Sequence, residues 1–180
     1  DAAGAPQGDE FRVNTHTADN QNFSSVGMDA DGDFVVTWTS SGQDGDRTGV
    51  FAQRYAADGT PQGNEFQVNT FTTGNQRYST VGMDSTGNFV VAWTDDRQDG
   101  SGGGIIGRGF AADGTPFTDE FIVNTVTVGN QQFPSIDVSP AGAFAVAWQA
   151  FDSQTATWNI RAQLFDSLAD PVGDELLVGP

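Results

Sequence analysis

The densest set of hard oxygen ligands in the chain is Asp29-Ala-Asp31-Gly-Asp33, three carboxylates at alternate positions around a glycine. Alternating Asp with Gly opens the loops that gather carboxylate and carbonyl oxygens around a calcium ion. Calcium is therefore the expected cofactor, with Asp29, Asp31 and Asp33 as its ligands. A plainer reading stands beside it, because the segment recurs as Asp84-Ser-Thr-Gly-Asn88 and as Ser139-Pro-Ala-Gly-Ala143. A turn that forms without the carboxylates needs only its glycine and a polar neighbour. A second set lies in SSGQDGDRTG and DDRQDGSGGG, where Gln43, Asp44, Arg47, Gln98 and Asp99 bring planar amides and carboxylates near guanidinium groups. Such groups hydrogen-bond sugar hydroxyls, so they are the expected ligand contacts, although Gly and Asp also make plain solvated connections. Trp158 joins them as an exposed aromatic, since the matching positions hold Thr48 and Gly103.

Catalysis has less to draw on. His16 is the only histidine, and Phe71 takes its place in the next copy, so no imidazole recurs as a base. Carboxylate pairs of the glycosidase kind are available by residue type, but the sequence singles out no two with unequal surroundings. The expectation is a chain that binds or assembles and is not an enzyme.

A repeat must position these residues. The only glutamates are Glu10, Glu65, Glu120 and Glu175, each 55 residues from the last, and Trp38, Trp93 and Trp148 keep the same interval. Residues 8–62 slide onto 63–117 with 30 of 55 positions identical, so one unit has been duplicated. The third copy keeps the apolar positions and changes the loops, reading SIDVS and FAV for SVGMD and FVV. Period-two alternation and turn residues place four strands in the first copy, at about 25–29, 34–39, 49–56 and 65–69. Phe34, Val35, Val36 and Trp38 are apolar on both faces, which marks a central strand and predicts that the three tryptophans are core. Asn14, Asn69 and Asn124 close the fourth strand and are expected to cap turns. Four-stranded antiparallel units of this length match the blades of an all-β propeller. A β-trefoil is the alternative, since it also has three repeats of four strands. The chain is expected to be a single repeat domain over 1–180. It would comprise an extra strand at 8–15 and repeats at about 22–70, 77–125 and 132–180.

Composition narrows the partners. A net charge of −17, with seven basic residues among 24 acidic ones, repels a phosphate backbone, so nucleic acid is not expected. No apolar run approaches the ~20 residues of a membrane span, and the absence of cysteine rules out a zinc–thiolate site. High Asp, Gly, Thr and Asn suggest a secreted or cell-surface location. The series EFxVNT, GNQ, FVVxW, QDG and AADGTP resembles the repeats of large secreted bacterial proteins of the hemolysin-type calcium-binding, adhesin-like class. The order of a DG hairpin, a VVxW strand and a strand ending in VN is also similar to sialidase-like propeller blades. These resemblances imply adhesion, extracellular matrix and carbohydrate contact, and carry over no catalytic residue. The expected function is therefore a secreted adhesion or glycan-binding module whose partner is an extracellular polysaccharide. The alternative is a structural subunit that joins copies of itself, as a homo-oligomer or filament, by terminal strand exchange.

Overall fold

The computed structural model describes residues 8–178, in which each repeat folds into its own antiparallel sheet. The first blade contains β1 (Gln21–Met28), β2 (Phe34–Ser41), β3 (Thr48–Tyr55) and β4 (Phe66–Gln67). The second contains β5 (Gln76–Met83), β6 (Phe89–Asp95), β7 (Gly104–Phe110) and β8 (Phe121–Ile122). The third contains β9 (Gln131–Val138), β10 (Phe144–Asp152), β11 (Thr157–Phe165) and β12 (Pro171–Val178). Strand order within each sheet follows the sequence, and no strand is shared between sheets. These are propeller-type blades, and the trefoil alternative falls, because its repeats would pair across a common barrel. No helix among the described residues is long and apolar enough to cross a membrane.

Hairpin chemistry sets the ends of the blades. Asp29 Oδ1 accepts from the N–H groups of Asp31 (2.9 Å) and Asp33 (3.0 Å), while Gly32 turns the chain at φ +91°. That left-handed conformation is free for glycine and strained for other residues. Gly87 and Gly142 repeat it at +87° and +89°.

The core lies between blades. Val35, Val50 and Ala52 of blade one pack with Val81, Val91, Trp93 and Ile106 of blade two. Val90, Ala92 and Ile105 repeat the contact against Val146, Trp148 and Phe165 of blade three. Each buried side chain of this size contributes about 1.5–3 kcal/mol, so a blade is stable chiefly through its neighbour. The expected burial of Trp38, Trp93 and Trp148 holds at 3%, 0% and 1% exposure. Along the inner edge, β1, β5 and β9 each bulge at an aromatic residue with positive φ, namely Phe23 (+55°), Tyr78 (+58°) and Phe133 (+56°). The Tyr78 and Phe133 N–H groups donate to Thr39 and Thr94 Oγ1 of the preceding blade, both at 3.2 Å, and this pins the bulges.

Two strand expectations are corrected. The fourth strands of blades one and two span two residues each, not five, because the Val50 and Ile105 N–H groups turn to the side-chain oxygens of Asn69 and Asn124, both 2.7 Å away. Residues 8–15 form no strand, because no sheet edge of their own lies beside them; they run along blade one, with Tyr55 OH donating to Val13 O at 3.1 Å.

Candidate functional site: pockets between successive blades

The β5–β6 hairpin brings Asp84, Thr86 and Asn88 to one end of the junction between blades two and three. Asp84 is 8% exposed, and Oδ1 accepts from Thr86 N (2.8 Å), Thr86 Oγ1 (2.8 Å) and Asn88 N (3.0 Å). Its Oδ2 accepts from Asn88 Nδ2 at 2.9 Å. Burial works against the Asp84 charge, yet the hydrogen bonds from Asn88 and Thr86 outweigh it and hold the carboxyl below its usual range. This fixed polar edge borders a cavity of about 590 Å³ whose other walls are apolar: Phe89 and Phe117 from blade two, Pro140 and Leu168 from blade three. Gly142 also lines it, at φ +89°, where an added Cβ would be strained and would stand 3.0 Å from Ser167 Cβ. A concave site with apolar walls and a few fixed polar groups is the usual form of a small-ligand pocket.

The same place recurs 55 residues earlier. Between blades one and two, Asp29, Asp31, Asp33, Arg54, Gln62 and Thr86 line a cavity of about 210 Å³. Asp33 Oδ1 accepts from Ala57 N (2.9 Å) and Oδ2 from Gln62 Nε2 (2.8 Å), while Arg54 Nη1 reaches Ala112 O across the junction at 2.5 Å. On blade three a third hollow of about 450 Å³, with Ser139, Phe144, Leu164 and Val172, has walls from that blade alone.

The residues singled out in the sequence fall in three places. Asp29, Asp31 and Asp33 line the first pocket, but no group of three metal-ligating side chains converges among the described residues. Two of the three carboxylates, Asp29 and Asp33, accept hydrogen bonds from the hairpin and the adjoining turn. Gln43, Asp44, Gln98 and Asp99 lie at the opposite end of the blades and act as clips. Gln43 Nε2 donates to Glu65 Oε1 (2.5 Å), and Gln98 Nε2 to Asp95 Oδ2 (3.3 Å). Asp44 Oδ2 accepts from Asn69 Nδ2 (3.2 Å), and Asp99 Oδ2 from Asn124 Nδ2 (3.3 Å). Burial pushes the Asp99 carboxyl above its usual range, and the Asp95 carboxylate adds to this, against hydrogen bonds from Ser101 and Asn124. Arg47 is exposed on the β2–β3 loop. Trp158 is 46% exposed on β11, its ring tilted at 56° to that of Phe151 with centroids 5.2 Å apart. Sequence reasoning passed over Phe117, Thr86, Asn88 and Leu168. Their one visible signal was a change of type at matching positions, such as Gln62, Phe117 and Val172.

No family model matches the chain, and no curated protein does. Solved structures do. The endo-arabinase of Bacteroides thetaiotaomicron VPI-5482 superposes with a TM-score of 0.56 at 15% identity, over 94% of this chain and 66% of the enzyme. The endo-1,4-β-xylanase of the same organism gives 0.58 at 11%, over 91% of this chain and 60% of the enzyme. A fucose lectin from Kordia zhangzhouensis, in complex with methyl-fucoside, gives 0.50 at 12%, over 87% of this chain and 98% of the lectin. The chain thus spans three-fifths to two-thirds of the two enzymes' length. At these identities the likeness establishes the fold, which is of propeller type, as the blade-like order of strands implied. The resemblance to hemolysin-type repeats finds no support. The expectation that the chain is not an enzyme is corrected, because its structural neighbours include carbohydrate-cleaving enzymes and the fold is one on which such chemistry is carried.

Proposed function

We propose that this chain binds glycans in the pockets between its blades. The observation that carries this reading is the cavity of about 590 Å³ in which the Asp84–Thr86–Asn88 edge faces Phe117 and Leu168. A sugar ring has hydroxyls on its rim and C–H groups on its faces, so it needs polar partners on one side and an apolar wall on the other. Repetition of the pocket at the preceding junction makes the binding multivalent, and avidity then exceeds the affinity of either site. The lectin among the structural neighbours supports a carbohydrate ligand. The test is a glycan array followed by calorimetry with methyl-fucoside, xylo- and arabino-oligosaccharides, on the chain and on Phe117→Ala and Thr86→Val. Loss of the aromatic wall removes about 1.4 kcal/mol, or tenfold in affinity. A blank array, or unchanged affinity in both variants, refutes the reading.

One observation favours a second reading, cleavage of a glycan at the other end of the blades, away from these pockets. Asp99, with its raised carboxyl, stands beside the fully buried Asp95, and two carboxyls with unequal surroundings are the raw material of acid and base roles. Release of reducing ends from arabinan or xylan, abolished in Asp99→Asn, would establish it. Turnover unaffected by that substitution excludes this pair.

A further inference from the structure

The two buried junctions show what each blade does with its two faces, and the same faces on blades one and three lie open. Val50 and Ile105 are 0% exposed against the following blade, but their counterpart Ile160 is 43% exposed. Val81 is 5% exposed against the preceding blade, but its counterpart Val26 is 61% exposed. Trp158 lies on the same face of β11 as Ile160, two residues away. The half-walled hollow on blade three fits this pattern. In the complete pockets its missing wall comes from the next hairpin, as Met83, Thr86, Gly87 and Ala112 at one junction. The matching residues of blade one are Met28, Asp31, Gly32 and Ala57.

We propose that a second copy of the chain docks head to tail, blade three of each copy on blade one of the other. The ring then has six blades, within the ~4–8 over which propellers close, and a two-membered ring of heterologous contacts leaves no face open. Both junctions are continuations of the interface already formed twice within the chain. Each also completes a pocket of the kind read above as a glycan site, and that clause alone rests on the proposed function.

The segment that would supply the outer strand of this junction already lies along blade one, though it forms no strand there. Phe11 packs on Tyr55 at 5.3 Å, as Phe66 does on Phe110 (5.7 Å) and Phe121 on Phe165 (5.6 Å). Glu65 accepts from Thr15 N at 2.6 Å, as Glu175 does from Thr125 N at 2.6 Å. In sequence the third repeat has Pro180 where Thr15 stands, and proline has no N–H to give Glu65. Residues 10–13 (EFRV) then take the β11 edge of the second copy by displacing the matching residues 175–178 (ELLV), of which Leu176, Leu177 and Val178 pair with Ala162, Arg161 and Ile160 within one chain and are about half exposed.

Light scattering on the size-excluded 180-residue chain reads the mass without any glycan, so its outcome is independent of the ligand reading. The expected result at micromolar concentration is twice the chain mass. Ile160→Asp and Val26→Asp, both at exposed positions of a folded single chain, each return it to one chain mass with an unchanged circular dichroism spectrum. Val128→Asp, 67% exposed in the β8–β9 connection, leaves the mass at two chains. A single chain mass for the unmodified protein, a two-chain mass unchanged by both face variants, or an open series of larger species overturns the proposal.

Discussion

Asn69→Asp is the most informative single change, because it alters one donor and almost no volume. Asn69 is 2% exposed; its Oδ1 accepts from Val50 N at 2.7 Å, and its Nδ2 donates to Phe71 O at 3.0 Å and to Asp44 Oδ2 at 3.2 Å. The substitution keeps the acceptor and turns both donated contacts into oxygen facing oxygen. A neutral bond contributes about 1 kcal/mol and one to a carboxylate about 1.5–3, so the loss at pH 7 is about 4 kcal/mol once repulsion from Asp44 is added. With a urea slope of about 2 kcal/mol per M, the unfolding midpoint falls by about 2 M. The introduced carboxyl, buried beside a like charge, has a folded pKa above its unfolded value of about 3.9. Its penalty is thus fully present above the folded pKa and relieved as pH falls through it, when the acid regains an O–H to offer Asp44. Urea titrations of both proteins at pH 7 and pH 3.5 read the difference directly. A deficit below about 1 kcal/mol at pH 7, or one of equal size at both pH values, would falsify the clip assigned to Asn69 and Asp44.

Two further outcomes follow from the same loops. At Gly49 an added Cβ would stand 2.7 Å from Asp44 Oδ2, so Gly49→Ala displaces Asp44 and is expected to cost about 1–3 kcal/mol in urea unfolding; no loss would mean that Asp44 moves freely and holds nothing. For acid stability, burial opposes the charge of Glu65, but hydrogen bonds from Gln43, Thr15 and His16 outweigh it, so its carboxyl sits below the usual 4.5. A depressed folded pKa gives stability that is complete above about 4.5 and lost as pH falls through the folded value. Melting temperature should therefore drop below that pH with a shallower slope in Glu65→Gln, and identical acid limbs would refute the Glu65–Thr15 clamp.

The fold was legible because its determinants are local or periodic. Alternation placed the strands, Asp-Gly and proline placed the turns, and the constant interval between tryptophans announced equivalent cores. The pockets were not legible, since each is assembled from two blades: Asp84 and Phe117 meet Pro140 and Leu168 only through blade-to-blade packing, on which the sequence carries no mark. Gln43, Asp44, Gln98 and Asp99 have the amides and carboxylates of a sugar site and, at the opposite end of the blades, also hydrogen-bond their own chain. A signal did exist. Asp44 with Asn69 and Asp99 with Asn124 are kept together, and both positions change together in the third copy, to Gln154 and Gly179. Residues that come and go as a pair across repeats are partners of each other. The aromatic bulges at Phe23, Tyr78 and Phe133 had no such signal, because nothing in an aromatic residue announces a positive φ.

One scaffold offering matched pockets invites different ligands at each. The first pocket sets Asp29, Asp31 and Asp33 around Arg54 in about 210 Å³; the second replaces them with Asp84, Thr86 and Asn88 and adds the Phe117 wall in about 590 Å³. The frame of hairpin, glycine and turn is common, so the difference lies in charge and in the apolar face. A pocket with one satisfied carboxylate and an aromatic wall favours a neutral sugar. One with three carboxylates would reject anionic sugars by like charge, which is discrimination through repulsion as much as through fit. The net charge of −17 extends that rejection beyond the pockets, over the ~8 Å that physiological salt leaves unscreened. On the glycan reading proposed for these pockets, neutral glycans rich in hydroxyls and exposed C–H faces are the expected ligands, and uronate-rich or sulfated chains are expected to bind more weakly on an array.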